Sequence, residues 1–138
     1  MLFGLDSTIN KYKKVKFRIN INKNAISRVN EFKYLGVIID EKLTWKNHIF
    51  HIQSKLAKVS GIIFKNRKKM PMKTMKLIYD SLAASYLSYG ITAWGACPQS
   101  TLSKLQSSQN KIIRYMNFTE SNSTVSNIYI YPTIYTHC

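Results

Sequence analysis

Residues 15–21, "VKFRINI", alternate without a break: Val15, Phe17, Ile19 and Ile21 fall on one face and Lys16, Arg18 and Asn20 on the other. That period of two predicts a half-buried strand. Asn22 to Asn24 supply residues that tolerate a left-handed backbone, and "AISRV" follows as a return strand, so the pair reads as a hairpin. Residues 32–40, "FKYLGVIID", are nearly all apolar after Lys33, as expected of the central strand of a small sheet covered on both faces. Gly36 inside it allows a bulge or a close backbone approach. Thr44 is then a natural N-cap, and Ile49, Ile52, Leu56, Val59 and Ile63, spaced 3, 4, 3, 4, form one apolar stripe along a helix.

A second helix is expected from Pro71, with Met75, Ile78, Tyr79, Leu82, Tyr86 and Tyr89 on its face and Gly90 as its stop. Trp94 in the connector "ITAWGACP" reads as a core anchor. A third helix follows from Thr101 to Asn117, with Leu102, Leu105, Ile112, Ile113 and Met116 inward. From Thr119 the sequence holds one acid, no Lys or Arg and no helical period. The fold class expected is α+β, a short antiparallel β-sheet followed by a three-helix bundle. It divides into a β-hairpin region over 1–43, a helical region over 44–118 and a divergent, poorly ordered tail over 119–138.

Charge changes the picture. The chain of 138 residues carries 21 Lys and Arg against 6 Asp and Glu, a net +15. Residues 1–70 hold 16 basic and 4 acidic residues, net +12. Such an excess repels itself unless a polyanion lies against it, which makes nucleic acid the leading partner class and an acidic membrane surface the second. The bland alternative is a solvated surface that keeps the protein soluble. No apolar run nears the ~18 residues of a membrane span, the N-terminus has no secretory pattern, and Cys97 and Cys138 read as reduced thiols. The expected location is intracellular, nucleus or cytoplasm, with no membrane contact.

The candidate chemistry is sparse. Two-metal phosphoryl transfer needs at least two convergent carboxylates, and Asp6, Glu31, Asp40, Glu41, Asp80 and Glu120 are scattered. Asp40 and Glu41 are adjacent at a strand end, where neighbouring side chains point apart, so a turn-forming or capping role is expected of them rather than metal binding. His48 and His51, three apart on a helix, lack a third ligand by spacing and read as a solvated pair. No phosphate loop or nucleophile motif is present. The expectation is no catalytic residue, no metal site and no cofactor in this chain.

"MLFG", "FKYLGV", "LTWKNHI", "YLSYGITAWG" and "LQSSQNKIIR" occur in that order over residues 1–118. Together they resemble the distal part of the reverse transcriptase of non-LTR retrotransposons, the jockey-like elements. The resemblance implies that "MLFG" ends a palm strand near the metals, that "FKYLGV" is the palm β-hairpin steadying the primer, and that the helices are the thumb closing on the template–primer duplex. It places the paired aspartates, and the Mg²⁺ implied for the parent RNA-directed DNA polymerase, N-terminal to this chain. The chain is then a fragment of such a polymerase, inactive alone but retaining sequence-independent binding of an RNA/DNA template–primer duplex.

Phosphate grip needs exposed Lys and Arg with little base discrimination. Lys55, Lys58, Lys65, Arg67, Lys68 and Lys69 make one candidate strip, and Lys104, Lys111 and Arg114 another. Lys58 and Lys65 project about 140° or more from the apolar stripe at 100° per residue. Tyr34 and Gly36 are candidates for close approach to the primer backbone, Gly36 because it has no Cβ. Each cation has a solubilising reading, and Tyr34 a core reading, beside the functional one. Two other functions stay open: a small basic helical module for protein interaction, and a decayed remnant of an element.

Overall fold

The computed structural model describes residue 1, residues 3–4, residues 6–13 and residues 19–118. The expected tail over 119–138, the first part of the 15–21 strand and Cys138 lie outside the described residues. The chain divides into two compact units, Met1–His48 and Ile49–Cys138.

The first unit opens with a helix that the sequence pattern did not predict, α1 (Asp6–Lys13), in which Ile9 is fully buried. Described residues of "MLFG" are not in a strand; the Gly4 N–H donates to the Glu41 carbonyl at 3.2 Å. β1 (Ile19–Ile21) and β2 (Asn24–Ile26) form the expected antiparallel hairpin, with Ile19 opposite Ile26 and Ile21 opposite Asn24. Its turn residues Asn22 and Lys23 have φ of 49° and 66°, the pair of positive values that a two-residue hairpin loop requires. Both strands are exposed along their whole length, so the half-buried strand is corrected for residues 19–21.

The run over 32–40 is not one central strand. It is a second hairpin, β3 (Glu31–Tyr34) against β4 (Val37–Asp40), with Phe32 opposite Ile39 and Tyr34 opposite Val37. Leu35 (φ 46°) and Gly36 (φ 85°) reverse the chain. Continuous apolarity concealed the turn, because Leu35 is not a turn residue by type and only Gly36 marks the reversal. Among the described residues the two hairpins are separate two-stranded sheets.

Residues 40–45 form a tight loop before α2 (Lys46–Asn66). Thr44 does not cap that helix. Its hydroxyl instead donates to Asp40 Oδ2 at 3.2 Å, and the helix begins two residues later after Trp45, whose φ is 60°. His48 is buried rather than solvated: its Nδ1 accepts the Ile38 N–H at 3.3 Å and so covers a backbone donor of β4.

In the second unit the stripe of α2 behaves as its spacing demands. Ile49, Ile52, Leu56, Val59 and Ile63 are all buried, none more than 4% exposed. Each such aliphatic side chain contributes roughly 1.5–3 kcal/mol on burial. After the basic turn, Pro71 stands just before α3 (Met72–Ile78) rather than inside it, and its carbonyl accepts the Thr74 and Met75 N–H groups.

The expected second helix is not one α-helix. Residues Tyr79–Ala84 take a π-helical turn before α4 (Ser85–Ser88). Met75, Tyr79, Ala83 and Leu87 are buried, while Leu82 and Tyr89 face solvent. A strict spacing of four drifts about 40° per step on an α-helix, and the wider turn absorbs part of that drift. Ser81 and Ser85 hydroxyls donate to the Leu77 and Ser81 carbonyls, each at 2.7 Å, which offers those carbonyls a partner other than the regular backbone ladder.

Gly90 stops this segment in the left-handed region (φ 66°, ψ 18°), as its place in the sequence implies. A short α5 (Ile91–Trp94) follows, and Trp94 is fully buried with its indole Nε1–H donating to the Tyr89 carbonyl at 2.9 Å. α6 (Gln99–Met116) buries the five predicted apolar residues and also Gln109.

Candidate nucleic-acid interface

The helical unit owes its surface to an imbalance of charge. Residues 49–118 contain eleven Lys and Arg and a single acid, Asp80. The apolar stripes are turned inward, so the cations occupy what remains. Lys58, Lys65, Lys68, Lys69, Lys104 and Lys111 are exposed, and Lys55, Arg67 and Arg114 are half-buried. Lys73 and Lys76, absent from the sequence candidates, are exposed on α3 and line an open groove of ≈ 300 Å³ with Thr74, Leu77 and Asp80.

The structure brings only part of the two candidate strips together. At the C-terminal ends of α2 and α6 the Arg67 guanidinium lies 4.6 Å from the Phe64 ring centroid, 5.7 Å from that of Tyr115 and 5.6 Å from that of Phe118. Phe64 and Tyr115 stack at 4.7 Å with a 50° tilt, and Lys111 Nζ stands 5.8 Å from the Tyr115 ring. Cation–π attraction and apolar contact hold these groups in one cluster. Asn117 closes α6, donating its N–H and its side-chain amide to the Ile113 carbonyl, and Phe118 then takes φ 57°, which turns the chain at the helix end.

Lys55 lies apart from this cluster, 5.8 Å from the Tyr86 ring. The rings were missed by sequence reasoning although their signal was present: Phe64 and Arg67 are three apart, and Lys111 and Tyr115 four apart, the spacings that place side chains together on a helix.

Tyr34 and Gly36 belong to the first unit. Tyr34 is 59% exposed and touches Phe32 with ring centroids 6.5 Å apart, so it is not a packed core tyrosine. Gly36 occupies the β3–β4 turn, where its φ of 85° by itself accounts for glycine.

The acids of the first unit are engaged in shaping loops. Asp40 accepts from the Lys42, Thr44 and Trp45 N–H groups at 3.1, 3.1 and 2.9 Å, besides the Thr44 hydroxyl. Partial burial pushes its pKa up, but the hydrogen bonds from Thr44, Trp45 and Lys42 outweigh that and hold it below the usual carboxylate value. The expected turn role of Asp40 is what the geometry shows. Glu41 is buried and pairs with Arg28 at 3.1 Å, and Glu31 accepts from the Asn47 amide. Among the described residues no three His, Cys, Asp or Glu side chains gather as a metal site would require, and no helix is long and apolar enough to cross a membrane.

Comparison with known proteins gives this surface a lineage. The chain is 34% identical over 100 residues to the RNA-directed DNA polymerase from mobile element jockey of Drosophila melanogaster, and 31% over 100 residues to its counterpart in Drosophila funebris. It is 31% identical over 99 residues to the probable RNA-directed DNA polymerase from transposon X-element of Drosophila melanogaster. Each match covers 70% of this chain. The chain is a relative of the jockey-like non-LTR retrotransposon reverse transcriptases. It spans 11% of the length of these three relatives. No family profile matches the chain, and no solved structure matches it. The reverse-transcriptase resemblance carried by the sequence motifs is therefore shown by similarity over 70% of the chain.

Proposed function

We propose that this chain is the segment of a retrotransposon reverse transcriptase that grips the template–primer duplex, with the helical unit acting as its thumb, and that it binds nucleic acid without polymerising. The observation that carries this reading is the eleven-to-one ratio of cations to acids in residues 49–118. A duplex presents phosphates at regular intervals, and Lys and Arg side chains on helix faces neutralise them without reading base edges. Each carboxylate of residues 31–41 is already committed to a backbone N–H, an amide or an arginine. In this reading the metal-binding aspartates, and the Mg²⁺ they would hold, belong to another part of the polymerase.

The test is affinity for an RNA/DNA hybrid as a function of salt. Engagement of about five phosphates gives a slope near −4 to −5 in log K against log salt, with no preference among sequences. Reversing Lys68 and Lys69 to Glu lowers the slope by about two. A flat salt response overturns the reading.

A second reading rests on the first unit. Ile19, Ile21, Phe32, Tyr34 and Leu35 are each more than half exposed on the two hairpins. Apolar surface of that extent suits contact with protein, so this part would serve as an interaction module. Concentration-dependent association of the purified chain, unaffected by the Lys68 and Lys69 reversals, would favour it.

A further inference from the structure

We propose that the cluster of Phe64, Arg67, Tyr115 and Phe118 is a stacking site for an unpaired nucleobase, so that the helical unit holds single-stranded nucleic acid beside the duplex. This rests on the reading of the helical unit as a nucleic-acid grip and adds a distinct ligand to it.

Three observations converge. Phe64 is 50% exposed and Phe118 55% exposed, although both stand against Arg67. The cluster therefore offers open aromatic surface instead of closing on itself. Second, Asp80, the one acid in residues 49–118, lines a groove with Lys73 and Lys76, and among the described residues of the helical unit no ion pair to Arg67 is formed. A guanidinium oriented by rings keeps its planar fork and its charge for a base and its phosphate. Third, Phe118 holds its position with φ 57°, where a residue other than glycine costs about 1–2 kcal/mol.

A duplex alone does not call for rings, since its bases are stacked on one another and its phosphates need only cations. A single strand does. Its exposed base faces stack on aromatic side chains and arginine, while lysines track the backbone. Lys65, Lys68 and Lys69 follow or flank Arg67 in the sequence, and Lys111 stands at the Tyr115 ring. This is the pairing of stacking platform and basic surface that such binding uses.

The experiment employs the full chain, a single-stranded oligonucleotide carrying 2-aminopurine, and a blunt RNA/DNA hybrid. Stacking quenches the 2-aminopurine, and the expected result is quenching on binding. Arg67→Lys keeps the charge and removes the plane; Phe64→Leu with Phe118→Leu keeps apolar bulk and removes the rings. Each set is expected to lose the quenching and weaken single-strand binding about tenfold, and the Phe64→Leu with Phe118→Leu set to keep affinity for the blunt hybrid within about twofold of wild type. Unchanged circular dichroism and melting temperature show that the fold is retained. Wild-type binding of the single strand without quenching overturns the inference, as do variants that keep the full quench. Failure to bind the blunt hybrid, with the single strand still bound and quenched, overturns the proposed duplex grip and leaves the stacking site standing; failure to bind either overturns both.

Discussion

Gln109 Nε2 donates to the Tyr79 hydroxyl at 2.7 Å, a hydrogen bond between α6 and the π-helical turn in which both residues are almost wholly buried. A buried polar pair of this kind links two helices at one fixed register, because either side chain displaced by a turn would lose its partner in an apolar setting. Burial raises the Tyr79 pKa, with the Gln109 bond opposing and Asp80 reinforcing that shift, so the phenol stays protonated through the neutral range.

Tyr79→Phe removes the hydroxyl and takes this partner from a buried amide. The expected cost is about 1–3 kcal/mol, read as a lower midpoint in urea at unchanged slope. Gln109→Leu alone should cost a comparable amount, and the double variant should lose less than the sum because both ends of the bond are then apolar. Strict additivity would show that the two side chains do not couple.

Asp40 sets a pH dependence. Its folded pKa lies below the ordinary 3.8 because backbone N–H groups favour the charged carboxylate. A depressed acid contributes stability that is complete above its unfolded value and disappears as pH falls through the folded one. Unfolding of the wild type should therefore steepen in acid below about pH 4. Asp40→Asn should lower stability at pH 7 and flatten that acid limb. An acid limb identical in the two proteins would remove Asp40 from the account.

The β3–β4 turn gives opposite signs at adjacent positions. Leu35 has φ 46° and Gly36 φ 85°. Asn at the first position with Gly at the second is the combination such turns favour, so Leu35→Asn is expected to raise stability by about 0.5–1 kcal/mol. Gly36→Ala should lower it by about 1–2 kcal/mol. Calorimetric melting of the two variants checks both signs at once, and a stabilising Gly36→Ala would mean the turn has a different backbone in solution.

What the sequence made legible follows the strength of its periodic signals. The stripe from Ile49 to Ile63 and the inward face of α6 were readable because spacing alone selects one helix face. The π-helical turn was not, since nothing at Tyr79–Ala84 departs from a helical composition: serines that bond the carbonyl four residues back, as Ser81 and Ser85 do, do the same at Ser54 and Ser107 inside regular α-helices. The second hairpin was hidden by Leu35, a residue whose type argues against a turn. At the candidate interface the cations were legible as composition, but the rings that orient Arg67 come from two helices 51 residues apart in Phe64 and Tyr115, a separation that no local pattern spans.

Gly61 separates stability from function on α2. It lies inside the helix and is exposed, and a Cβ built on it meets nothing within 4 Å. Glycine at such a position costs about 0.5–1 kcal/mol relative to alanine through the freedom it loses on folding. Gly61→Ala is therefore expected to raise the melting temperature while leaving affinity for an RNA/DNA hybrid unchanged. Its position opposes a role in packing, so the one remaining demand for glycine there is close approach of a ligand to the helix backbone. Should the variant gain stability and lose hybrid affinity, the duplex would be shown to lie against α2 at Gly61, between the exposed Lys58 and Lys65. With stability gained and affinity kept, the grip would rest on the long cationic side chains, which hold phosphates at a distance a methyl group does not disturb.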